Sequence, residues 1–360
     1  MMNKKNLLGY SQAELEKFFL EINEPSFRAK QLLKWVHQKG ELDFDKMSNF
    51  NKKLISKMKE VATLVTPKVE KVLQSEDGTK KYLINLSSGS SIEMVRIPEN
   101  KRITLCISSQ AGCALQCTFC ATGAQGFEKN LSPDEIVGQL WLANFYDRKD
   151  PPITNVVFMG MGEPLLNFEP VISSASIMRN EFAYFLSKKR ITISTSGLIP
   201  QINKLASRTD VSLAVSLHAP DNALRDIIVP INKIYPIDSL LNACKNYLSI
   251  QKDGRFLTIE YILINEINDS LEHAKSLSKI LAELTCKINL IPFNPFEGCE
   301  YARSKDENIE LFKSYLLKKG FTVTVRSTRG GDIDGACGQL VGNLKKATQV
   351  KKITSRKFVA

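Results

Sequence analysis

From about residue 103 onward, short apolar runs alternate with amphipathic windows, and this alternation constrains the fold more than any other feature. The apolar runs lie near 103–107, 156–160, 190–195, 211–217, 257–263 and 288–293, with a further one near 322–326. Helical windows fall near 132–146, 168–180, 199–207, 237–250, 270–283 and 305–319. Strands that alternate with helices pair in parallel, because each crossover returns the chain to the same end of the sheet. Six such β/α units, against the eight of a closed barrel, predict an α/β fold built as an incomplete (β/α)6 barrel with a cleft open on one side. Ligands of such folds sit at the carboxyl ends of the strands.

The segment after the first of these strands carries Cys113, Cys117 and Cys120 as C-x3-C-x2-C. Three closely spaced thiolates can hold three corners of a [4Fe–4S] cube and leave the fourth iron open. A structural zinc site uses four ligands, usually in two pairs. No fourth Cys or His follows nearby, and a disulfide would use only two of the three. The spacing resembles that of the radical S-adenosylmethionine enzymes. In them the open iron chelates S-adenosylmethionine and one electron cleaves the sulfonium to a 5′-deoxyadenosyl radical.

At 360 residues the chain can hold a core plus a smaller accessory domain. No apolar run is long enough to span a membrane, and the start Met1-Met2-Asn3-Lys4-Lys5 lacks the apolar stretch of a signal peptide. Eight cysteines without an export signal point to a reducing cytoplasm rather than a disulfide scaffold. The net charge of +11 is partly gathered at the end of the chain, in Lys345, Lys346, Lys351, Lys352, Arg356 and Lys357. Such a balance suits a phosphate backbone as partner.

Residues 10 to about 65 read as helical. Ser11 to Glu14 forms a capping box ahead of an apolar stripe at Leu15, Phe18, Phe19 and Ile22, and a second stripe at Leu32, Leu33, Trp35 and Val36 stops at Gly40. From about 68 to 98 the pattern becomes short strands with turns at Asp77-Gly78 and Ser88-Gly89. The predicted division is therefore a helical, RNA-binding module at 1–65, a β extension or linker at 66–100, the barrel at 101–330, and a glycine-rich loop with the basic tail at 331–360.

Several polar residues end the predicted strands. Gly162 and Glu163 lie in Met159 to Pro164, where glycines admit close approach of a ligand and a carboxylate can accept from an ammonium. Ser194, then Ser216, Leu217 and His218, then Asn294 end later strands. Cys337 lies in a glycine-rich loop near Arg326 and Arg329, neighbours that favour a nucleophilic thiolate. Cys244 and Cys286 read as buried inert thiols, and Cys299 as an exposed one.

Taken together, the runs Cys106 to Cys113, Met159 to Pro164, Ser216 to Pro220 and Asp332 to Leu340 resemble the bacterial radical S-adenosylmethionine methyltransferases that act on C2 of adenine in 23S rRNA. The similarity runs from about residue 8 to residue 342. Gly335, where many members carry Ala, is the main departure. The resemblance implies that Cys113, Cys117 and Cys120 hold the cluster, and that Gly162, Glu163, Ser194, Ser216, Leu217, His218 and Asn294 hold S-adenosylmethionine. It implies that Cys337 takes a methyl group from one S-adenosylmethionine by displacement. A second one then yields the radical that removes hydrogen from the S-methyl group, and the carbon radical adds to C2. Cys106 next attacks Cys337, giving a transient disulfide and the methylated base, and Glu93 serves as proton acceptor.

The implied partners are adenosine 2503 of 23S rRNA, adenosine 37 of some tRNAs, and a one-electron donor such as flavodoxin. A cytoplasmic monomer with no membrane contact is expected. Two other readings remain at this point: a C8 methyltransferase of the same adenine, conferring antibiotic resistance, and a non-catalytic iron–sulfur RNA-binding protein with four cysteine ligands.

Overall fold

Seven parallel strands and three antiparallel ones form one sheet at the centre of the molecule. The computed structural model describes residues 4–251 and 256–342. The basic residues expected at the end of the chain, Lys345 to Lys357, lie outside the described residues.

The parallel strands follow one another in space as in sequence: Arg102–Cys106, Asn155–Phe158, Ile191–Thr195, Ser212–Ser216, Leu257–Leu263, Cys286–Pro292 and Thr322–Val325. Central strands are apolar on both faces because helices cover one side and the barrel core fills the other. Leu257–Leu263 shows this best, with six of its seven residues buried. The covering helices Pro133–Phe145, Phe168–Arg179, Ile199–Arg208, Ile237–Ile250, Leu271–Ile280 and Asp306–Lys318 match the amphipathic windows closely. Two shorter helices, Ala121–Gln125 and Asn222–Ile228, went unread because so few residues cannot display a 3.6-residue period.

The segment read as an extension or linker belongs to the same sheet. Ser91–Glu99 pairs antiparallel with Arg102–Cys106, and Lys80–Asn85 and Lys68–Gln74 continue the order outward. The turns at Gly78 and Gly89 have φ of +82° and +85°, which glycine adopts without strain.

The N-terminal segment builds a core of its own from Leu7, Leu8, Leu15, Phe18, Phe19, Leu32 and Leu33. Its helices are Gln12–Glu21, with the expected capping box at Ser11, then Arg28–Leu33 continuing as a π turn to Gln38, and Lys52–Val61. It is not wholly helical, since Lys5–Asn6 and Ala62–Thr63 form a short parallel pair. Val137 and Ile177 of the barrel helices share this core. Trp141 Nε1 donates to the carbonyl of Val36 at 2.9 Å, and a Cβ on Gly9 would stand 2.2 Å from the amide of Asp134. The module therefore sits directly on the barrel.

Candidate active site

The three-cysteine segment is a loop held at its base by a hairpin, Gln110–Gly112 against Phe127–Asn130. Gly112 has φ +71° there, and a Cβ on it would lie 1.8 Å from the carbonyl oxygen of Gly126. Only glycine fits. Inside the loop, the amide of Cys120 donates to the carbonyl of Cys117 at 3.2 Å, and that of Thr118 reaches the carbonyl of Ile228.

All three thiols line one cavity at the carboxyl ends of the strands. Burial pushes Cys113 up to about 12 and raises Cys117 and Cys120 as well, with the thiols reinforcing one another. Among the described residues, no three His, Cys, Asp or Glu side chains close tightly enough around one point to hold a single metal ion. A [4Fe–4S] cube asks for something different, namely one thiolate on each of three irons at separate corners. Three thiols on one short loop, buried and sharing one cavity, fit that demand, and a cationic cluster would supply the charge that lets them ionise.

Gly162, Glu163, Ser194, Ser216 and His218 line the same cavity. Both carboxylate oxygens of Glu163 accept from backbone amides, Oε1 from Leu165 at 3.0 Å and Oε2 from Ser196 at 2.8 Å. Even so, burial pushes its pKa up to about 7. Gly162 has φ +98°, and a Cβ there would meet Gln110 at 2.5 Å. His218 accepts at Nδ1 from the amide of Ile262 at 3.1 Å, so its ring proton sits on Nε2. Burial pushes it down to about 3, so it is neutral.

Two residues of the expected set lie elsewhere. Leu217 is buried in the barrel core and does not line the cavity; only its main chain contributes, accepting from Arg225 Nε at 2.9 Å. Asn294 lines an adjoining cavity and donates through Nδ2 to the carbonyl of Cys337 at 3.1 Å.

That adjoining cavity holds both Cys106 and Cys337, and it shares Cys120, Arg326 and Cys337 with the first. Cys337 reaches the mouth of the barrel because its loop is fastened to the cysteine loop. The amide of Ala121 donates to the carbonyl of Gly338 at 2.7 Å, and Thr122 Oγ1 donates to that of Leu340 at 2.7 Å. Cys106 is buried and pushed up to about 12, chiefly by burial and then by the neighbouring Cys337, against the pull of Arg326. Both sulfurs are free thiols.

Glu93 lines neither cavity, but its strand brings it to the back of the same loop. Its carboxylate is buried, accepts from the amide of Val341 at 2.9 Å, and pairs with Lys81 at 3.2 Å. Burial raises its pKa, while Lys81 and Val341 pull the other way.

Cys299, expected to be exposed, is half-buried against the aromatic cluster of Phe293, Phe296 and Tyr301. Arg225 and Glu260 escaped the sequence reading altogether, whereas Arg326 stands beside Cys337 as its place in the sequence suggests. Arg225 is fully buried and donates to the carbonyls of Ser196, Ser216 and Leu217, tying the ends of two strands together. Its signal was faint: one arginine among Leu224, Ile227 and Ile228 in a seven-residue helix.

Comparison with known proteins agrees with this geometry. Residues 5–64 match the model of the ribosomal RNA large subunit methyltransferase N-terminal domain, and residues 107–277 that of the radical SAM superfamily. The dual-specificity RNA methyltransferase RlmN of Pseudomonas fluorescens is 51% identical over 351 residues, covering 96% of this chain and 92% of that protein. Its namesake from Marinobacter nauticus is 49% identical, covering 99% and 97%. A radical SAM methyltransferase from Sphaerobacter thermophilus superposes with a TM-score of 0.89 at 38% identity, covering 94% of this chain and all of that one.

Proposed function

This chain belongs to the dual-specificity RNA methyltransferases RlmN of the radical S-adenosylmethionine superfamily, and on that footing we propose the part each residue of its site plays. It is an S-adenosylmethionine-dependent RNA methyltransferase that uses a [4Fe–4S] cluster. The target we assign is C2 of adenosine 2503 in 23S rRNA, and C2 of adenosine 37 in tRNA. The observation that carries this reading is the pair Cys106 and Cys337, two free thiols lining a cavity that opens onto a three-cysteine loop.

Cys113, Cys117 and Cys120 hold the cluster in this reading, which supplies the single electron for reductive cleavage of S-adenosylmethionine. Glu163 faces the ammonium of that ligand. A positive charge there stabilises its ionised form and offsets the burial that otherwise holds its pKa near 7. Ser194, Ser216 and the neutral His218 supply hydrogen bonds along the same wall.

C2 of adenine has no lone pair with which to attack a sulfonium methyl, so the methyl group needs a carrier. Cys337 takes it as a thiolate, forming a carbon–sulfur bond as the sulfonium bond breaks. Arg326 stands in the same cavity and stabilises that thiolate. Asn294 holds the carbonyl of Cys337, which fixes where the sulfur points. The S-methyl carbon must first lose a hydrogen atom; it then bonds to C2. Glu93 accepts the proton that C2 loses, and the odd electron left on the adduct passes to a one-electron acceptor. Cys106 then attacks Sγ of Cys337, and a disulfide forms as the carbon–sulfur bond breaks. The electron pair of that bond stays on the carbon, which takes up a proton to become the methyl group of the product.

The N-terminal module supplies RNA affinity. Its lysines Lys30 and Lys34 stand over the ring of Phe182, an arrangement that presents cations and an aromatic face together. A one-electron donor of the flavodoxin type, a cytoplasmic location and a monomeric chain complete the reading. Among the described residues, no helix is long and apolar enough to cross a membrane.

The test is to incubate the cluster-loaded protein with S-adenosylmethionine, a reductant and either a 23S rRNA fragment or tRNA, then digest and identify the nucleosides. 2-Methyladenosine is expected, from rRNA and from tRNA alike. 8-Methyladenosine would transfer the chain to the rival class, and no methylated adenosine at all would end the assignment.

A further inference from the structure

Lys81 has no part in the chemistry above, yet its ammonium is buried, with a side chain only 8% exposed. Removing an ammonium from water costs several kcal/mol unless it is well paired, and a buried ion pair on its own is weak evidence of a stability device. Lys81 and Glu93 stand on adjacent strands, one diagonal step apart on the same face: Lys81 pairs with Val95, and Glu93 with Leu83. The ammonium lies 3.2 Å from Glu93 Oε1 and also donates to the carbonyl of Asp334 at 3.1 Å. Asp334 lies three residues before Cys337, in the loop that carries it.

The surrounding hairpin turn grips the same loop. Ser75 Oγ donates to Asp332 Oδ1 at 2.6 Å, and the amide of Gly330 donates to Asp77 Oδ2 at 3.1 Å. From the other end of the loop, the amide of Val341 reaches Glu93 Oε2. A cation that touches both the carboxylate and the loop fixes one relative to the other.

We propose that Lys81 is a positioning residue that ties the carboxylate of Glu93 to the loop bearing Cys337, so that proton acceptor and methyl carrier keep one register. This rests on the assignment of Glu93 as the proton acceptor. The charged groups facing that carboxylate are Lys81 and Asp334. With Lys81 gone, burial and Asp334 act unopposed by any cation, so Glu93 ionises only at higher pH.

The variant to make is Lys81→Met, which keeps the length and removes the charge. It should retain the cluster's visible absorbance, cleave S-adenosylmethionine in the absence of RNA, and still become methylated at Cys337, because the other loop contacts remain. RNA product formation near pH 7 should fall about tenfold and recover as pH rises, one decade of ionised fraction per unit. Should Lys81→Met fail to hold its cluster, Lys81→Gln asks the same question, since it keeps hydrogen bonding without charge. A wild-type pH profile for RNA methylation in the variant that folds would overturn the proposal. Glu93→Gln, measured alongside, separates the two levels. Normal RNA turnover by Glu93→Gln would remove Glu93 as acceptor. An inactive Glu93→Gln beside an unaltered Lys81 variant would remove only Lys81.

Discussion

The amide of Cys113 donates to the carbonyl of Gly126 at 2.9 Å, closing the cysteine loop at its neck. That bond exists because Gly112, the preceding residue, lets the two strands of the hairpin approach without side chains between them. Gly112→Ala would place a methyl group 1.8 Å from the Gly126 oxygen, at a φ of +71° that L-residues rarely adopt. The neck must open, and the first cysteine must move away from the other two. Gly112→Ala is expected to purify with the barrel folded but without iron, as read by visible absorbance and iron content. Full iron loading would show that the neck does not set the geometry of the three thiols.

Arg225 makes a different kind of joint. Its guanidinium is fully buried, and burial pushes its pKa down to about 10. It remains a cation at neutral pH, bonded to three strand-end carbonyls and to Asn232 Oδ1. Arg225→Met removes those donors and leaves buried carbonyls unpaired, which should cost roughly 3 kcal/mol or more. Urea unfolding should show a lower midpoint with an unchanged slope. A midpoint equal to wild type would mean that water takes over every one of those bonds.

The joint between the N-terminal module and the barrel should show itself in acid. His37 is buried there, with Nδ1 3.1 Å from the hydroxyl of Tyr184, and burial pushes it down to about 3. Below about pH 6.5 the unfolded chain binds a proton that the native ring refuses. Stability therefore falls as pH drops through the window from about 6.5 to about 3, by roughly 1.4 kcal/mol per unit for one such group. His37→Phe keeps the ring and abolishes the titration. Between pH 6.5 and 5 its stability should fall by roughly 2 kcal/mol less than that of wild type, as measured by chemical unfolding at several pH values. His218 titrates in the same direction, so part of the acid slope must persist. Parallel slopes for the two proteins would remove His37 as its source.

The barrel was legible in the sequence because its signals are local. Apolar runs, amphipathic windows and the three-cysteine spacing each fit within a few turns of chain, and all reappear within a few residues of the expected places. Glu163, Ser194, Ser216 and His218 were readable for the same reason: each ends a strand, and strand ends converge. Leu217 was carried along with its neighbours, but alternation turns its side chain the opposite way, into the core. Lys81 could not be read, since its partner carbonyl lies 253 positions away at Asp334. On a strand of its own, Lys81 is one more lysine in a basic chain. Arg225 was lost likewise, being a cation whose meaning depends on which carbonyls the fold brings to it.

The chemistry of Cys106 gives the sharpest test of the site. Cys106 and Cys337 share a cavity, both are free, and Cys106 lies deeper, at the end of the first barrel strand. Burial holds its thiol protonated, up to about 12, so it is a poor nucleophile until the site changes around it. This suits a resolving thiol, which must stay out of the way while Cys337 is methylated and bonded to the base. Cys106→Ala should therefore keep its cluster and acquire methyl on Cys337. It should go on to form the carbon–sulfur-linked adduct with RNA, and then stall. The purified variant is expected to carry covalently bound RNA, seen as nuclease-sensitive material that migrates with the protein under denaturing conditions. The double variant Cys106→Ala/Cys337→Ala should carry none, because the carrier sulfur is gone. Normal multiple turnover by Cys106→Ala would show that some other group breaks the adduct, and the pairing of these two thiols would lose its role.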